Sequence, residues 1–314
     1  MRAIAVREWG GRDKMELLEL DPPPVAPDGV LVRVRAAGVN PVDYKIRGGY
    51  MAQKLPYHFP VILGWDMAGV VEEVGAAVTW FKPRDQVYGY VRRHHLQYGT
   101  YAEYTTGPEG FFAHMPPELS YEEAAAMPMA SLTAHQALEA LGLRGGETLF
   151  LGGGAGGVGH LAIQLAVCRG ARVVATASER NHDFLRELGA EPLDYGDDDL
   201  PGRVRDLLAD SGTDAAIDLF GGEVREQAFA ALRPGGRLVS VAQPPPEPRE
   251  GHHEVTYIFV RPSGYDLGEH ISPLVAEGSV RPHVEATYPL ERAAEAHERL
   301  EEGHVRGKLV LTVG

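Results

Sequence analysis

The chain has 314 residues, enough for one large domain or two smaller ones; 44% of them are hydrophobic and 24% are charged. Its formal net charge of −14 argues against nucleic acids and anionic membrane surfaces as partners. The single cysteine, Cys168, excludes an internal disulfide and any metal site built from several cysteines.

Residues 1–120 predict a β-rich domain, because short apolar runs alternate with turn signals at 3–6, 30–34, 69–74 and 86–90. The opening segment MRAIAVREWGG is typical of a first strand and lacks the apolar centre of a signal peptide. No apolar run reaches the roughly 18 residues that a membrane-spanning helix needs. We therefore expect a cytoplasmic protein without a membrane partner.

The chain after Ser120 predicts helices and then alternating strands and helices. Ser120 with Glu123 fits a capped helix start, and Pro128 is expected to divide that helix. The alternation that follows is typical of a parallel sheet built from βαβ units. The predicted strands are 148–151, 172–176, 215–219, 237–242 and 255–260, and the predicted helices are 157–168, 181–188, 202–209 and 223–232.

The last part of the chain predicts a short tail. Segment 244–253, PPPEPREGHH, predicts an irregular surface loop. After Val260 we expect a helix, a strand, a second helix and a final strand, at 264–277, 281–288, 290–302 and 308–313. This tail is too short for a domain of its own, so we expect it to rejoin the N-terminal β-rich region.

The sequence ETLFLGGGAGGVG, residues 147–159, is the most informative stretch. An apolar strand leads into glycines and then into a helix, and Gly154, Gly156 and Gly159 fit the pattern G-x-G-x-x-G. Such glycines allow a tight turn and close backbone approach, and the helix N-terminus aims N–H groups at a pyrophosphate. We predict that Gly154, Gly156, Gly157, Val158 and Gly159 bind a dinucleotide such as NAD(P) in a Rossmann-type doubly wound sheet.

The end of the second predicted strand, RVVATA, indicates which dinucleotide binds. An acid there would hold the ribose 2′-hydroxyl of NAD, but the residue is Ala177, and the following Ser178 and Arg180 suit a 2′-phosphate. Glu179 lies about 20 residues past the last glycine, where an NAD-specific acid is expected, but we place it one turn later and facing outward. We therefore predict NADPH; the alternative for Arg180 is a solvated loop cation.

The cysteine and the paired histidines are assigned to packing and to the surface. Cys168 falls on the apolar stripe of the helix after the glycines, so we expect inert core packing. The adjacent pairs His94–His95 and His252–His253 point to opposite faces in extended segments, and no neighbouring acid completes a site. We expect exposed loop histidines and no metal site.

Six segments of the chain occur in the order typical of one protein family. They are AAGVNPVDYKIRGGY (36–50), LGWDMAGVVEEVG (63–75), YAEY (101–104), MASLTAHQAL (129–138), LGGGAGGVGHLAIQLA (151–166) and HVRGKLVL (304–311). With them the whole chain resembles the zinc-less quinone oxidoreductase branch of the medium-chain dehydrogenase/reductase superfamily.

The resemblance implies an α/β protein of two domains. A GroES-like β-rich catalytic domain, residues 1–120 and 263–314, would be interrupted by a Rossmann NADP-binding domain, residues 121–262, with the active site in the cleft between them. It also implies a homodimer joined through the edge of the Rossmann sheet.

The resemblance further indicates where metal-dependent relatives hold catalytic zinc. The positions equivalent to their Cys, His and Cys ligands are Asn40, Trp65 and Met129, none of which is a usual zinc ligand. The four-cysteine lobe that holds structural zinc in those relatives is replaced by residues 91–99. We therefore expect hydride transfer without a metal.

The same resemblance places four candidate catalytic residues, Asn40, Asp43, Tyr44 and Tyr50, beside the substrate. Asn40 would donate a hydrogen bond to a substrate oxygen, and Tyr44 or Tyr50 would donate a proton or stack on a flat ring. The alternatives are core packing for Tyr44 and orientation of neighbouring residues for Asp43.

Further residues are expected to contact the cofactor, partly because ligands bind at the carboxyl ends of parallel strands. Thr133 would bring its hydroxyl near the nicotinamide or its ribose, unless it bonds to its own helix backbone. Lys308 is a cofactor contact or, alternatively, part of a surface ion pair. The complete set is Thr133, Tyr195 on the adenine side, Phe220, Val241, Ala242 and Phe259 toward the nicotinamide, and Lys308.

Taken together, these features predict an NADPH-dependent, zinc-independent oxidoreductase. Hydride would pass from the nicotinamide to a quinone or a similar electron-poor carbonyl, so the partner is a small-molecule quinone or enone. Two alternatives stay open: an enoyl or alkenal reductase that reduces a carbon–carbon double bond, and an NADPH-binding structural or regulatory protein without turnover.

Overall fold

The computed structural model describes residues 1–197, 199–208, 211–242 and 254–314. The chain divides into two units, Met1–Leu132 together with Arg261–Gly314, and Thr133–Val260. The first unit is dominated by antiparallel strands and the second by a parallel sheet with helices, so the predicted α/β class is confirmed. Within the described ranges, every helix is too short or too polar to cross a lipid bilayer.

The N-terminal part of the first unit is mostly short strands. They are β1 (Arg2–Val6), β2 (Glu16–Glu19), β3 (Gly29–Val39), β4 (Val61–Ile62), β5 (Asp66–Val74), β6 (Gln86–Tyr90), β7 (Tyr104–Pro108) and β8 (Phe112–His114), with helices α1 (Pro41–Arg47) and α2 (Tyr121–Ala126). Helix α3 (Pro128–Leu141) starts at Pro128, which separates it from α2 as expected.

The second unit holds the predicted parallel sheet. Its elements are β9 (Thr148–Leu151), α4 (Gly159–Cys168), β10 (Arg172–Ala177), α5 (His182–Glu187), β11 (Ala190–Asp194), α6 (Leu200–Leu207), β12 (Thr213–Asp218), α7 (Gly222–Ala231), β13 (Leu232–Ser240) and β14 (Glu254–Tyr257). The strand order is β11-β10-β9-β12-β13-β14, and every pairing is parallel. The order reverses beside β9, which is where doubly wound sheets bind nucleotides.

The C-terminal segment returns to the first unit. It contains α8 (Ser272–Ala276), β15 (Val284–Pro289), α9 (Ala293–Glu301) and β16 (Lys308–Thr312). Strand β16 pairs antiparallel with β3, with Leu309 opposite Val39, and β3 pairs with β5. This register brings the start of β16, the end of β3 and the start of β5 together.

The expectation of core packing for Cys168 is wrong, because its side chain is exposed. Helix α4 is buried from Gly159 to Ala166, but its last residues lie just before the turn at Gly170 that brings the chain back to the surface. The apolar stripe in the sequence thus runs one turn further than the buried face. The loop predicted at 244–253, with His252 and His253, lies outside the described residues.

Candidate active site

The glycine turn between β9 and α4 is fixed by one threonine of the neighbouring strand. Thr176 of β10 accepts a hydrogen bond on its hydroxyl from the N–H of Gly153 at 3.0 Å. Its carbonyl accepts a second one from the N–H of Gly154 at 2.8 Å. The turn is therefore held in one shape before any ligand binds.

Several turn glycines have no room for a side chain. A Cβ on Gly159 would lie 2.3 Å from the carbonyl oxygen of Gly153, and one on Gly154 would lie 2.9 Å from the Cβ of Ala175. Gly156, by contrast, has Gly153 O as its nearest neighbour at 3.4 Å. The turn is therefore tightly packed at Gly154 and Gly159 and more open at Gly156. A phosphate-binding turn needs such an open position for close approach to its backbone.

The predicted anion-binding atoms lie at the accessible side of this turn. Gly156, Gly157 and Val158 are half-buried and directly precede α4. Two N–H groups at this end are bonded within the turn, Gly156 to the Gly153 carbonyl and His160 to the Gly156 carbonyl, each at 3.1 Å. Phe220 is 59% exposed, and its ring lies so close to Gly153 that a Cβ there would be 2.3 Å from Phe220 Cε2. The turn and the end of β12 thus form one continuous surface.

The end of β10 carries the residues predicted to read the 2′ position. Ser178 is half-buried and accepts a hydrogen bond from the Asn181 side chain at 3.3 Å. Glu179 and Arg180 are exposed in the single helical turn that follows. Ala177 ends the strand, so the acid typical of NAD-specific sites is not part of it.

A buried aspartate that the sequence interpretation missed organises the carboxyl ends of β12 and β13. Asp218 accepts hydrogen bonds from the N–H groups of Phe220 and Gly221 at 3.0 and 2.7 Å, and from the Ser240 hydroxyl at 2.8 Å. Its own carbonyl accepts from the N–H of Val241 at 3.0 Å. The available signal was an acid at the end of an apolar run, followed by Leu219, Phe220 and then the glycine pair 221–222.

The remaining predicted cofactor residues of this unit occupy different environments. Thr133 is buried on α3, and Ala242 is half-buried beyond the end of β13. Tyr195 and Phe259 are 47% and 44% exposed. Their roles toward a cofactor stay predictions.

In the first unit, the structure brings Asn40 together with Asp66 and Lys308, all of them buried. The Asn40 amide nitrogen donates to Asp66 Oδ2 at 2.9 Å, and its amide oxygen accepts a short hydrogen bond from Lys308 Nζ. Lys308 also donates to the carbonyl of Val39 at 2.9 Å, and Asp66 Oδ1 accepts the N–H of Met129 at 2.8 Å. Since Lys308 is only 4% exposed, the surface ion pair considered for it is wrong.

The Asp66–Lys308 pair balances opposite charges in a buried place. Burial raises the pKa of Asp66 to about 6, against the opposing effect of Lys308. Burial likewise lowers the pKa of Lys308, and the negative charge of Asp66 works against that shift. Each partner therefore makes the charged form of the other tolerable.

Asp43 starts a second buried network. Its Oδ2 accepts the backbone N–H of Asn40 at 2.8 Å and the Tyr101 hydroxyl at 2.9 Å. The Tyr101 oxygen lies 3.3 Å from Nε2 of His297, whose Nδ1 lies 3.0 Å from Arg47 Nη1. Burial raises the pKa of Asp43 to about 7. These hydrogen bonds favour the orienting role considered for Asp43, which stays a prediction.

The two candidate tyrosines differ in environment. Tyr44 on α1 is half-buried, and burial raises the pKa of its hydroxyl. Tyr50 is 60% exposed, and Lys54 donates to its hydroxyl at 3.1 Å. This hydrogen bond from Lys54 lowers the pKa of Tyr50. Tyr50 is therefore the more accessible of the two hydroxyls, and its role as a proton donor stays a prediction.

The histidines of 91–99 have a partner that the sequence did not indicate. His94 is exposed, whereas His95 is half-buried with its Nε2 3.3 Å from Nδ1 of His58. The two rings stack with centroids 5.4 Å apart. Ring stacking accounts for the close approach of His58 and His95.

Comparisons with known proteins cover almost the whole chain. An alcohol dehydrogenase GroES-like domain matches residues 26–117, and a family described as zinc-binding dehydrogenase matches residues 188–311. The NADPH-dependent alkenal/one oxidoreductase, chloroplastic, of Arabidopsis thaliana is 34% identical in an alignment of length 327 that covers 99% of this chain and 79% of that protein.

Solved structures are equally similar. The quinone oxidoreductase from Coxiella burnetii is 35% identical with a TM-score of 0.86, covering 100% of this chain and 99% of that one. An NAD-dependent alcohol dehydrogenase is 36% identical with a TM-score of 0.91, covering 100% of both chains. The predicted GroES-like and Rossmann-type architecture is thereby confirmed.

Proposed function

Because the chain belongs to the quinone oxidoreductase branch of the medium-chain dehydrogenase/reductase superfamily and is an oxidoreductase of that family, we propose that it uses NADPH without zinc. Hydride would pass to a quinone or a similar electron-poor carbonyl. The observation that carries this proposal is that Asn40, one of the three positions predicted to be equivalent to the zinc ligands of metal-dependent relatives, is held in a buried cluster with Asp66 and Lys308.

The side chains at those positions do not fit a zinc ion. They are a carboxamide at Asn40, an indole at Trp65 and a thioether at Met129, none of which is the thiolate, imidazole or carboxylate that zinc prefers. In addition, the Asn40 oxygen already accepts a hydrogen bond from the Lys308 ammonium group. A second cation beside that ammonium group would be repelled.

Two features of the nucleotide unit support NADPH: the glycine turn after β9, and the polar residues that follow β10. Gly156, Gly157 and Val158 would hold the pyrophosphate, while Ser178 and Arg180 would contact the 2′-phosphate. When bound, the cofactor supplies a hydride from its nicotinamide ring. The protein provides the orientation and the polar groups that stabilise charge on the acceptor.

Replacing Arg180 by alanine tests the cofactor choice. We expect the KM for NADPH to rise about tenfold, because a guanidinium–phosphate contact is lost, while the KM for NADH stays within about twofold. Arg186→Ala is the matched control, since Arg186 is an exposed arginine of the next helix that pairs with Asp183 at 2.7 Å. Equal effects of Arg180→Ala on the two cofactors would contradict a 2′-phosphate role.

The acceptor has a second candidate, the carbon–carbon double bond of an alkenal or enone. The exposed Tyr50 with its Lys54 neighbour favours it, since reduction of an enone needs a proton donor and reduction of a quinone needs little acid catalysis. The name of the Arabidopsis relative points the same way for that protein. We rank the quinone first because the buried cluster offers a hydrogen-bond donor rather than an acid.

Acceptors are compared by following NADPH oxidation with 1,4-benzoquinone, 9,10-phenanthrenequinone, crotonaldehyde and a longer alkenal, each with and without EDTA. We expect the quinones to turn over fastest and EDTA to change no rate by more than about twofold. Activity that EDTA abolishes and zinc restores would contradict the metal-free proposal. Turnover confined to the alkenals, with Tyr50→Phe slowing it, would support the second candidate.

We also propose that the protein is cytoplasmic and forms a homodimer through β14. Among the residues that the structure describes, this strand is one edge of the parallel sheet, and its residues from Glu254 to Tyr257 are at least partly exposed. An unpaired strand edge is a natural place for a second copy to add. Light scattering is expected to give twice the 34.1 kDa of one chain; a monomeric mass would exclude the dimer.

A further inference from the structure

The first unit buries two side chains of opposite charge, Asp66 and Lys308, and the packing of the core does not explain why charged residues stand there. Asp66 is 0% exposed and Lys308 is 4% exposed. Moving such a pair out of water is costly, and an apolar pair of similar volume is often as stable or more so. Their arrangement around a third residue, Asn40, supplies a reason.

Both ends of the Asn40 carboxamide are held by groups of the correct character. A lysine can only donate, so Lys308 fixes the amide oxygen, while the Asp66 carboxylate fixes the amide nitrogen at 2.9 Å. An amide rotated by 180° would set donor against donor and acceptor against acceptor. The pair therefore selects one of the two orientations of the Asn40 side chain.

Each member of the pair is itself anchored to the backbone. Lys308 donates to the carbonyl of Val39 at 2.9 Å, and the second oxygen of Asp66 accepts from Met129 N–H at 2.8 Å. The cluster thus ties β16, β3, β5 and α3 to one point. It does so at the register position where β16 and β5 flank β3.

One hydrogen of the Asn40 amide is left for another acceptor. The Nδ2 group carries two hydrogens, and within the described ranges Asn40 uses one of them, toward Asp66. The positive charge of Lys308 on the amide oxygen polarises the group and strengthens that remaining donor. The amide is thereby prepared to stabilise negative charge on an oxygen.

We propose that Asp66 and Lys308 are positioning residues that orient and polarise Asn40 as the hydrogen-bond donor to the acceptor oxygen of the substrate. The proposal rests on the proposed function. A quinone that gains hydride from NADPH becomes a hydroquinone anion, which takes one proton from the medium, and NADP⁺ is left. Asn40 stabilises the oxygen on which the negative charge develops during this step.

The test is a double-mutant cycle of Lys308→Met and Asn40→Ala, read as kcat for a quinone. Lys308→Met is expected to lower kcat by about 10- to 100-fold, with the Kd for NADPH within about twofold of wild type. In the Asn40→Ala background, Lys308→Met is expected to cost almost nothing further. A merely structural role would instead multiply the two losses and shift cofactor binding and melting temperature as well.

A second variant guards against misfolding from an unpaired buried charge. Asp66→Asn/Lys308→Met removes both charges together and avoids a lone carboxylate in the core. Its kcat is expected to fall as in Lys308→Met, again without further loss in Asn40→Ala. Lys82→Met, a change at a lysine with an 80% exposed side chain, is the control and is expected to match wild type.

The two ideas fail in different ways. The positioning role is overturned if the kcat losses of Lys308→Met and Asn40→Ala multiply, or if either Lys308 variant keeps full activity. In both cases NADPH oxidation by the wild type still upholds the proposed function. Absence of NADPH oxidation by the wild type with every acceptor would instead remove the proposed function and this inference with it.

Discussion

Gly159→Ala is expected to weaken NADPH binding by about 100-fold and to lower the free energy of unfolding by about 1–3 kcal/mol. The added Cβ would lie 2.3 Å from the carbonyl oxygen of Gly153 and 2.9 Å from the carbonyl carbon of Gly154. Both are backbone atoms that Thr176 holds in place, so the turn itself must move. Displaced N–H groups no longer converge on the pyrophosphate.

Two other glycines separate the effects on folding and on binding. Gly156→Ala has its nearest neighbour at 3.4 Å, so stability is expected to stay near wild type while a methyl group at the cradle weakens NADPH binding. Gly110→Ala meets nothing within 4 Å and is expected to alter neither property.

Thermal unfolding with and without cofactor measures both quantities. NADPH at 100 times its Kd is expected to stabilise the wild type by about 2.7 kcal/mol, and this gain should nearly vanish in Gly159→Ala. A wild-type gain in that variant would show that the turn tolerates a side chain and that the pyrophosphate binds elsewhere.

Local sequence features predicted the nucleotide unit well. Its strands are short apolar runs separated by helical patterns, and β9, β10 and α4 lie within a few residues of their expected positions. The glycine turn was found because strand, turn and helix are consecutive in sequence. Its chemistry depends on backbone shape, which glycine spacing encodes directly.

The buried cluster of the first unit was not predictable in this way. Asn40, Asp66 and Lys308 come from three distant segments, and only the pairing of β3 with β5 and β16 makes them neighbours. For Lys308 the sequence suggests only a cofactor contact or a surface ion pair, and lysine side chains are mostly exposed in folded proteins. The residues next to Lys308 in sequence do not indicate that its ammonium group lies beside the Asp66 carboxylate and the Asn40 amide oxygen.

The error at Cys168 has a related cause. Periodicity reports which face of a helix is apolar, but it does not report where the neighbouring sheet stops covering that face. Val167 is already 40% exposed, so the cover ends before the helix does. The burial that a sequence pattern predicts and the burial in the folded protein differ most often at the ends of helices and strands.

His297→Gln is expected to remove about 2 kcal/mol of acid destabilisation between pH 7 and pH 5. Burial, then the charges of Arg47 and Arg12, lower the pKa of His297 to about 3. Arg47 can only donate, so His297 Nδ1 accepts and its Nε2–H donates to Tyr101. A proton on Nδ1 would break this order and face a guanidinium group.

The direction follows from the two states. The unfolded chain binds a proton at His297 near pH 6.5, whereas the folded chain resists it down to about pH 3, so stability is lost as pH falls through this range. Asp43 acts oppositely. Its pKa of about 7 lies above the 3.8 that is ordinary for an aspartate, so its contribution is present at low pH and is lost as pH rises toward 7.

Because these contributions oppose each other, the wild-type profile alone is uninformative, and the difference between variant and wild type is the quantity to measure. Urea unfolding at pH 7 and pH 5 is expected to show His297→Gln destabilised at pH 7 and about 2 kcal/mol closer to wild type, or above it, at pH 5. Ile46→Val, an apolar change in the same unit, is the control and should cost the same at both pH values. A constant difference for His297→Gln would mean that His297 is protonated equally in both states, which the Arg47–His297–Tyr101–Asp43 order of donors does not permit.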